Sequence, residues 1–274
     1  MTRVRKAVIP AAGLGTRNLP VTKVVPKELF PVGNKPAIHY VVEEAVAAGI
    51  DAILLVVSRG KEALVNYFDR APELEHHLEQ ASKGHLRKAL ALPPVHVQFV
   101  RQQEPKGLGD AVRLAKPFVG DEPFAVLLPD DLLFGPRPAL AGLVEAYAAC
   151  RAPVVALKVM PDDVLHRYGV ARVTPAGERF KIEEIVEKPR EAPPSNYAVI
   201  GRYVLTPDLF PHLEALTPGV GGELQLTDAL RGYLAHGSVY GVPWPHERYD
   251  VSLEREYVAL LQRFLTQDPA AGTK

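Results

Sequence analysis

A turn rich in glycine and alanine near the N-terminus is the first feature of this sequence that could do chemistry. The turn spans Ala11–Gly15 and ends a short apolar run. Main-chain N–H groups in such a turn form a concavity that binds anions. Arg17 and Lys27 follow it, and their side chains would supply fixed and flexible positive charge for phosphate groups. Together these residues predict a binding site for a nucleoside triphosphate.

The glycine turn does not match either of the two common nucleotide fingerprints. After Gly13 and Gly15, the third glycine of a dinucleotide site is replaced by Asn18. The second predicted strand ends at Ser58, where such a site has an acidic residue that binds the ribose. No Gly-Lys-Ser/Thr triplet follows the turn, which excludes a P-loop. The phosphate site is therefore of another kind.

The elements that would position this turn alternate between strand and helix. Apolar runs predict buried strands at 6–12, 52–57, 95–100, 124–128 and 153–160. Helical periodicity predicts helices from Pro36 to Gly49 and at 61–70, 73–91, 107–119 and 138–150. Between the first strand and the first helix, the proline-rich segment 18–34 is interpreted as a long ordered loop. The alternation predicts an α/β fold, Rossmann-like, with a mostly parallel sheet between two helical layers.

After residue 160 the pattern changes to an antiparallel one. The segments 169–173 and 180–186 are joined through a Pro-Ala-Gly turn and predict a hairpin. Further strands are predicted at 197–205 and 238–242, and further helices at 207–216, 225–236 and 253–265. The simplest interpretation is one domain, with a nucleotide-binding half at about 1–160 and a half for a second substrate at about 161–250. Residues 251–274 form a last helix and a frayed tail in this interpretation.

Composition excludes several classes of protein. The chain has 274 residues, with 32 basic and 32 acidic side chains, so its net charge is zero. That balance argues against nucleic-acid and membrane-surface binding, which depend on excess positive charge. A single cysteine, Cys150, excludes an intrachain disulfide. No apolar segment is long enough to span a membrane or to serve as a secretory signal, so a cytoplasmic location is expected.

A series of ordered motifs carries a resemblance to a known family. The motifs are Ala11-Ala12-Gly13-Leu14-Gly15-Thr16-Arg17, Pro26-Lys27-Glu28-Leu29-Phe30-Pro31, Arg101-Gln102, Lys106-Gly107-Leu108-Gly109, Leu128-Pro129-Asp130, Val186-Glu187-Lys188-Pro189, Ser195-Asn196-Tyr197, Gly201-Arg202-Tyr203 and Gly222-Glu223-Leu224-Gln225-Leu226-Thr227-Asp228. With them the chain resembles the nucleoside-diphosphate-sugar pyrophosphorylases, a family of nucleotidyltransferases. Within that family it is most similar to the bacterial uridylyltransferases.

The resemblance implies transfer of a uridylyl group from UTP to glucose 1-phosphate, which gives UDP-glucose and pyrophosphate. An oxygen of the sugar phosphate would attack the α-phosphorus in line while pyrophosphate leaves. The second pKa of a phosphate monoester is about 6, so this nucleophile is already mostly an anion. No general base is then needed, and catalysis consists of alignment and charge neutralisation.

The resemblance also implies a Mg²⁺ cofactor held by Asp130 and Asp250. A hard ion held by one or two carboxylates together with phosphate oxygens is the usual arrangement for Mg²⁺. Asp130 follows an apolar strand, at the edge where open α/β sheets bind ligands. Asp131 is interpreted as a bystander, because the family motif requires only the first carboxylate.

The remaining roles come from the same resemblance. The nucleotide contacts are assigned to Ala11, Ala12, Gly13, Leu14, Gly15, Thr16, Arg17, Lys27, Gln102, Gly107 and Asp130. The sugar phosphate is assigned to Gly169, Glu187, Lys188 and Asn196. The catalytic residues are assigned to Arg17, Lys27, Asp130 and Lys188. The amide of Gln102 suits a uracil edge because an amide both donates and accepts hydrogen bonds.

The sequence departs from the family pattern at one point and leaves alternatives open. Family members usually continue after the late aspartate with a glycine, a polar residue and a lysine. Here Asp250 is followed by Val251-Ser252-Leu253, and Arg255 is the candidate replacement for the lysine. A thymidylyltransferase that uses dTTP, or a regulatory protein that only binds nucleotide sugars, remains an alternative. The chain is also expected to form a homo-oligomer, a dimer or a tetramer.

Overall fold

The computed structural model describes residues 3–267, and the tail predicted at the C-terminus lies outside this range beyond residue 267. The strands are β1 (Lys6–Ala11), β2 (Pro31–Val32), β3 (Lys35–Pro36), β4 (Ala52–Val57), β5 (His96–Arg101), β6 (Phe124–Leu127), β7 (Asp131–Phe134), β8 (Val154–Val159), β9 (Gly169–Ala176), β10 (Arg179–Glu187), β11 (Tyr197–Leu205), β12 (Tyr240–Pro243) and β13 (Glu247–Asp250). The helices are α1 (Ala37–Ala47), α2 (Glu62–Tyr67), α3 (Pro72–Gln80), α4 (Leu108–Arg113), α5 (Lys116–Val119), α6 (Ala139–Cys150), α7 (Phe210–Glu214), α8 (Leu226–Tyr233) and α9 (Glu254–Gln267).

Nine of these strands form one mixed sheet in the order β5-β4-β1-β6-β11-β8-β12-β10-β9. The first four are parallel neighbours. In contrast, β10 and β11 run antiparallel to the strands beside them. The predicted mixed α/β fold is therefore confirmed. Two further pairs, β7 with β13 and β2 with β3, form separate two-stranded sheets.

The parallel part of the sheet collects several predicted site residues at one edge. Ala11 at the end of β1 pairs in register with Val57 at the end of β4. Val57 in turn pairs with Arg101 at the end of β5. The glycine turn and Gln102 thus leave the sheet side by side, because the carboxyl ends of parallel strands meet at the same edge. Asp130 follows β6 at this edge as well.

A short antiparallel ladder brings Asp250 to this edge from the far end of the chain. The segment after Asp130, for which no strand was predicted, forms β7. This strand pairs with β13, and Asp131 and Asp250 are partners in the register. The main-chain N–H of Val251 donates to the carbonyl oxygen of Asp130 at 2.9 Å. Sequence periodicity missed β7 because a four-residue strand is too short to show alternation.

The predicted hairpin of the second half is confirmed as β9 and β10. Its last register pair joins Gly169 to Glu187, so the two ends of the hairpin meet at one point. The strand β9 also contacts β11 through the pair Val170 and Ala198. Because β11 itself lies between β6 and β8, the hairpin is joined to the parallel strands through main-chain hydrogen bonds.

Buried side chains fill both faces of the large sheet. Along β1, Ala7 and Ile9 belong to one core cluster and Val8 belongs to the other, as expected for alternating side chains. The helices α1, α6 and α9 contribute to the first cluster, and α4, α7 and α8 contribute to the second. Each fully buried Val, Leu or Ile side chain stabilises the fold by about 1.5–3 kcal/mol.

Two of the predicted helices, at 73–91 and 107–119, are interrupted in the structure. The helix predicted at 73–91 ends at Gln80, and a 3₁₀ segment from Gly84 to Leu90 follows it. Ser82 between them has a φ of 55°, which a continuous helix does not allow. The helix predicted at 107–119 is divided into α4 and α5, since Pro117 lacks the N–H that an unbroken helix needs. Among residues 3–267, no helix combines the length and the apolar character needed to cross a membrane.

Candidate active site

A cavity of about 540 Å³ opens at the edge where β1, β5 and β6 end. Most of the predicted site residues line it. From the nucleotide set these are Ala12, Gly13, Leu14, Gly15, Thr16, Arg17, Lys27, Gln102, Gly107 and Asp130. From the sugar-phosphate set they are Gly169, Glu187 and Lys188. The fold therefore brings both predicted sets to one cavity.

The glycine turn is held in place by contacts with the loop and with the last part of the chain. The hydroxyl of Thr22 donates to the carbonyl oxygen of Gly15 at 2.7 Å. Arg17 Nη1 donates to Oγ of Ser252 at 3.1 Å, and that hydroxyl donates to Oδ1 of Asp250 at 2.6 Å. The guanidinium predicted to contact phosphate is thus linked through Ser252 to a predicted metal ligand.

Lys27 and Asp130 form an ion pair inside the cavity, through Nζ and Oδ2. Their side chains are 16% and 23% exposed, so solvent screens the pair less than it would at the surface. Burial acts to lower the pKa of Lys27, but Asp130, Glu28 and Asp250 raise it above its usual value. Burial acts to raise the pKa of Asp130, but the adjacent Lys27 ammonium holds it below its usual value. Both groups are therefore charged at neutral pH.

Asp250 is a carboxylate whose charge is not balanced in the same way. Burial and the negative charges of Asp130 and Asp131 raise the pKa of Asp250 to about 6. Asp131 has its own partners, since it pairs with Arg248 and accepts the N–H of Gly201 at 2.9 Å. Arg248 also lies 3.9 Å from Oδ2 of Asp250, so the three carboxylates of Asp130, Asp131 and Asp250 share the cations Lys27 and Arg248. Close carboxylates that outnumber the cations paired with them suit a divalent cation with oxygen ligands. The residues present therefore fit the implied metal.

The part of the chain that the structure describes contains no cluster of three or more His, Cys, Asp or Glu side chains able to hold a metal alone. A metal bound at Asp130 and Asp250 would need further oxygen ligands from phosphate or water, which is typical of Mg²⁺.

The predicted replacement for the missing lysine lies away from these contacts. Arg255 is exposed near the start of α9, and it makes no ion pair within residues 3–267. The neighbouring residue Glu256 contacts Asp250, because its Oε2 accepts the main-chain N–H of Asp250 at 2.6 Å. In this chain the segment after Asp250 therefore contributes a hydroxyl, that of Ser252, to the network around Arg17.

The segment that carries Gly107 packs against the segment that carries Leu224. The carbonyl oxygen of Lys106 accepts the N–H of Leu224 at 2.7 Å. Gly107 has a φ of 113°, and a Cβ at this position would lie 2.7 Å from the carbonyl oxygen of Leu224. Only glycine fits both requirements. The turn that begins α4 and lines the cavity is therefore held against Leu224.

Glu187 ends β10, Lys188 follows it, and both line the cavity together with the glycine turn. Nζ of Lys188 is 3.3 Å from Oε1 of Glu187 and 3.9 Å from Oε2 of Glu223. A Cβ on Gly169 would lie 2.8 Å from Oγ1 of Thr227 on α8, so any larger residue here would displace that side chain. One cation and two carboxylates thus surround the place predicted for the sugar phosphate.

Three predicted site residues, Ala11, Asn196 and Asp250, do not line the cavity. Ala11 is buried within β1 directly before the turn. Asp250 is linked through the hydroxyl of Ser252 to Arg17, which lines the cavity. Asn196 is exposed, and its carbonyl oxygen accepts the N–H of Met160 at 3.0 Å. Its contact with the sugar phosphate stays a prediction.

Several residues that line the cavity were not predicted from the sequence as site residues. These are Pro10, Glu28, Pro105, Leu108, Ala111, Leu128, Arg167, Val199, Tyr203, Glu223, Gln225 and Thr227. Glu28 is fully buried beside Lys27 and pairs with Lys61 at 2.6 Å. The signal for Glu28 was its place next to Lys27 in the motif, whereas Lys61 comes from a distant loop that no motif marks.

The sequence profile described as "Nucleotidyl transferase" matches residues 6–246 of the chain. The chain belongs to the nucleotidyl transferase family. A UTP–glucose-1-phosphate uridylyltransferase of Bacillus subtilis (strain 168) is 44% identical over 274 residues, which cover 98% of this chain and 93% of that protein.

Solved structures show the same similarity. A UTP-bound UGPase from Acinetobacter baumannii superimposes with a TM-score of 0.88 at 38% identity, covering 98% of this chain and 96% of the other. A UDP-glucose pyrophosphorylase complexed with UDP-glucose superimposes with a TM-score of 0.87 at 36% identity, covering 96% and 99%. The resemblance inferred from the motifs is confirmed at the level of the family.

Proposed function

We propose that the chain transfers a uridylyl group from UTP to glucose 1-phosphate, giving UDP-glucose and pyrophosphate. The observation that carries the proposal is the single cavity that unites the glycine turn and Lys27 with Gly169, Glu187 and Lys188. A transfer between two phosphate substrates requires such a common site, because the reacting atoms must come within about 3–3.5 Å of each other. The names of the relatives and of the solved structures support the choice of substrates.

In this proposal the residues of the chain act by binding and by neutralising charge. Arg17 and Lys27 bind the triphosphate and stabilise the negative charge that grows on the leaving pyrophosphate. Lys188 holds the sugar phosphate against the α-phosphorus, and Glu187 accepts hydrogen bonds from glucose hydroxyls. The sugar phosphate is itself an anion, so none of these side chains needs to remove a proton.

Asp130 and Asp250 would hold a divalent metal, and we propose that it is Mg²⁺. When bound, the ion would neutralise phosphate charge and polarise the phosphorus that is attacked. Lys27 contributes beside it, because its ammonium already lies against Asp130. Arg17 contributes from the side of Asp250 through Ser252.

We further propose that the chain is one Rossmann-like domain with three layers, α/β/α. Its nucleotide half would comprise 1–160, its sugar-phosphate half 161–250, and its last helix and tail 251–274. Core clusters on both faces of the sheet support the layered arrangement. We also propose a homo-oligomer, a dimer or a tetramer, which exposed apolar residues on α9 such as Leu265 support. The mass of the protein in solution tests this last point.

The function is tested by pyrophosphate release from pairs of nucleotides and sugar phosphates, with Mg²⁺ and with EDTA. We expect UTP with glucose 1-phosphate to give the highest kcat/KM, and EDTA to abolish turnover. Preference for dTTP would overturn the proposal in favour of a thymidylyltransferase. Binding of UDP-glucose without turnover of any pair would overturn it in favour of a regulatory binding protein.

A further inference from the structure

The amide of Gln102 is held by a carboxylate that the reaction itself does not require. Gln102 is 4% exposed and lines the cavity. Its Nε2 lies 2.7 Å from Oδ2 of Asp110 and 3.3 Å from the carbonyl oxygen of Gly107. Asp110 is itself held by Arg113, whose Nη2 donates to Oδ1 at 2.6 Å. Two acceptors therefore lie at the same end of the Gln102 amide.

The orientation of this amide follows from the chemistry of its neighbours. A carboxylate paired with a guanidinium only accepts hydrogen bonds, and a carbonyl oxygen also only accepts. The nitrogen of the Gln102 amide must face Asp110, because the reverse orientation would set its oxygen against acceptors. Within residues 3–267, both side-chain hydrogen bonds of Gln102 are made through Nε2. Oε1 is left as an acceptor on a residue that lines the cavity.

We infer that Asp110 is a positioning residue that makes the site select bases with a protonated imide nitrogen. The inference rests on the proposed uridylyl transfer. Uracil carries a hydrogen at N3, which Oε1 of Gln102 can accept. The N3 of cytosine carries a lone pair instead, which a fixed acceptor repels. Thymine has the same imide as uracil, so Asp110 separates UTP and dTTP from CTP without separating UTP from dTTP.

Asp110 also has a purely structural contact, which the test must separate from this role. Its ion pair with Arg113 spans three residues of α4, and the two side chains are 5% and 41% exposed. Loss of that pair would weaken turnover with every nucleotide to a similar extent. A change in the ratio of UTP use to CTP use is explained only by the orientation of the amide.

The experiment compares kcat/KM for UTP and for CTP, each with glucose 1-phosphate, in the wild type and in three variants. Asp110→Asn has the same shape but can donate as well as accept, so only the longer contact with the carbonyl oxygen of Gly107 still favours the original orientation of the Gln102 amide. Asp110→Ala removes the carboxylate acceptor, leaves only the carbonyl oxygen of Gly107 at this end of the amide, and serves as the second variant if the first does not fold. Arg113→Gln removes the ion pair but keeps the carboxylate, which makes it the matched control.

We expect the UTP to CTP ratio to fall by about tenfold or more in Asp110→Asn and Asp110→Ala, the effect of one hydrogen bond gained or lost in a buried site. In Arg113→Gln the ratio should stay within about threefold of the wild-type value, since the carboxylate still orients the amide. An unchanged ratio in both Asp110 variants, or an equal fall in Arg113→Gln, would overturn the inference. If the wild type released no pyrophosphate, the proposed function would fail, and the ratio of UTP and CTP dissociation constants in the same proteins would decide the role of Asp110.

Discussion

Lys27 shows how single residues of this site depend on the charges around them. Its ammonium pairs with Asp130, and it lies beside Glu28, whose carboxylate is buried against Lys61. Alone, a buried lysine would tend to lose its proton. The surrounding carboxylates reverse that tendency, since the pKa of Lys27 is raised although burial acts to lower it. The charge needed to bind a triphosphate is therefore maintained by the anions next to it.

The first prediction concerns this charge. Replacement of Lys27 by Ala should lower kcat for pyrophosphate release by about 10²–10³, the usual loss when one charge-stabilising group is removed. The matched control is Lys23→Ala, because Lys23 is an exposed lysine of the same loop and does not line the cavity. Circular dichroism of both variants checks that the fold is intact. Equal activity of the two variants would contradict the catalytic role proposed for Lys27.

At the scale of elements, the turn after β6 is fixed by one buried cation. Arg202 on β11 is fully buried and pairs with Glu44 of α1 at 2.8 Å. The same guanidinium donates to the carbonyl oxygens of Leu128 and Asp131, at 3.2 and 2.8 Å. These contacts hold the chain on both sides of Asp130. The position of a predicted metal ligand thus depends on an ion pair outside the cavity.

The second prediction tests this support. Glu44→Ala leaves the Arg202 guanidinium buried without its partner, which should lower the free energy of unfolding by about 3–5 kcal/mol. Glu145→Ala is the matched control, since Glu145 is also helical but forms an exposed pair with Arg137, with side chains 63% and 58% exposed. Loss of an exposed pair costs about 0–1 kcal/mol. Urea unfolding measures both, and a Glu44→Ala variant as stable as the control would contradict the account.

Much of this architecture could be predicted from the sequence, because buried strands such as β1 and β6 are short apolar runs with sharp ends. Gln102 and Asp130 could be placed at one sheet edge by the same logic. The approach of Asp250 to Asp130 was implied only by the family resemblance, because it depends on the pairing of β7 with β13 over a long separation in sequence. The contacts of the Asp110 side chain could not be predicted either. They depend on the rotation of side chains after packing, which no motif records.

At the scale of the whole molecule, one continuous sheet joins the two predicted halves. The strand β11 belongs to the second half of the chain, yet it lies between β6 and β8 of the first. Main-chain hydrogen bonds therefore set the distance between the glycine turn and the hairpin that carries Glu187. Such a rigid frame suits a direct reaction between two bound substrates, because catalysis by alignment needs fixed positions.

Direct transfer has a stereochemical consequence that can be measured. One in-line attack by the sugar phosphate inverts the configuration at the α-phosphorus, whereas two successive displacements through a nucleotidyl-enzyme restore it. The measurement uses UTP with sulfur in place of one non-bridging α-oxygen, in a known configuration, and ³¹P NMR of the UDP-glucose analogue formed. We expect inversion. Retention of configuration would contradict the account, because it requires a nucleophile of the enzyme that this cavity is not proposed to supply.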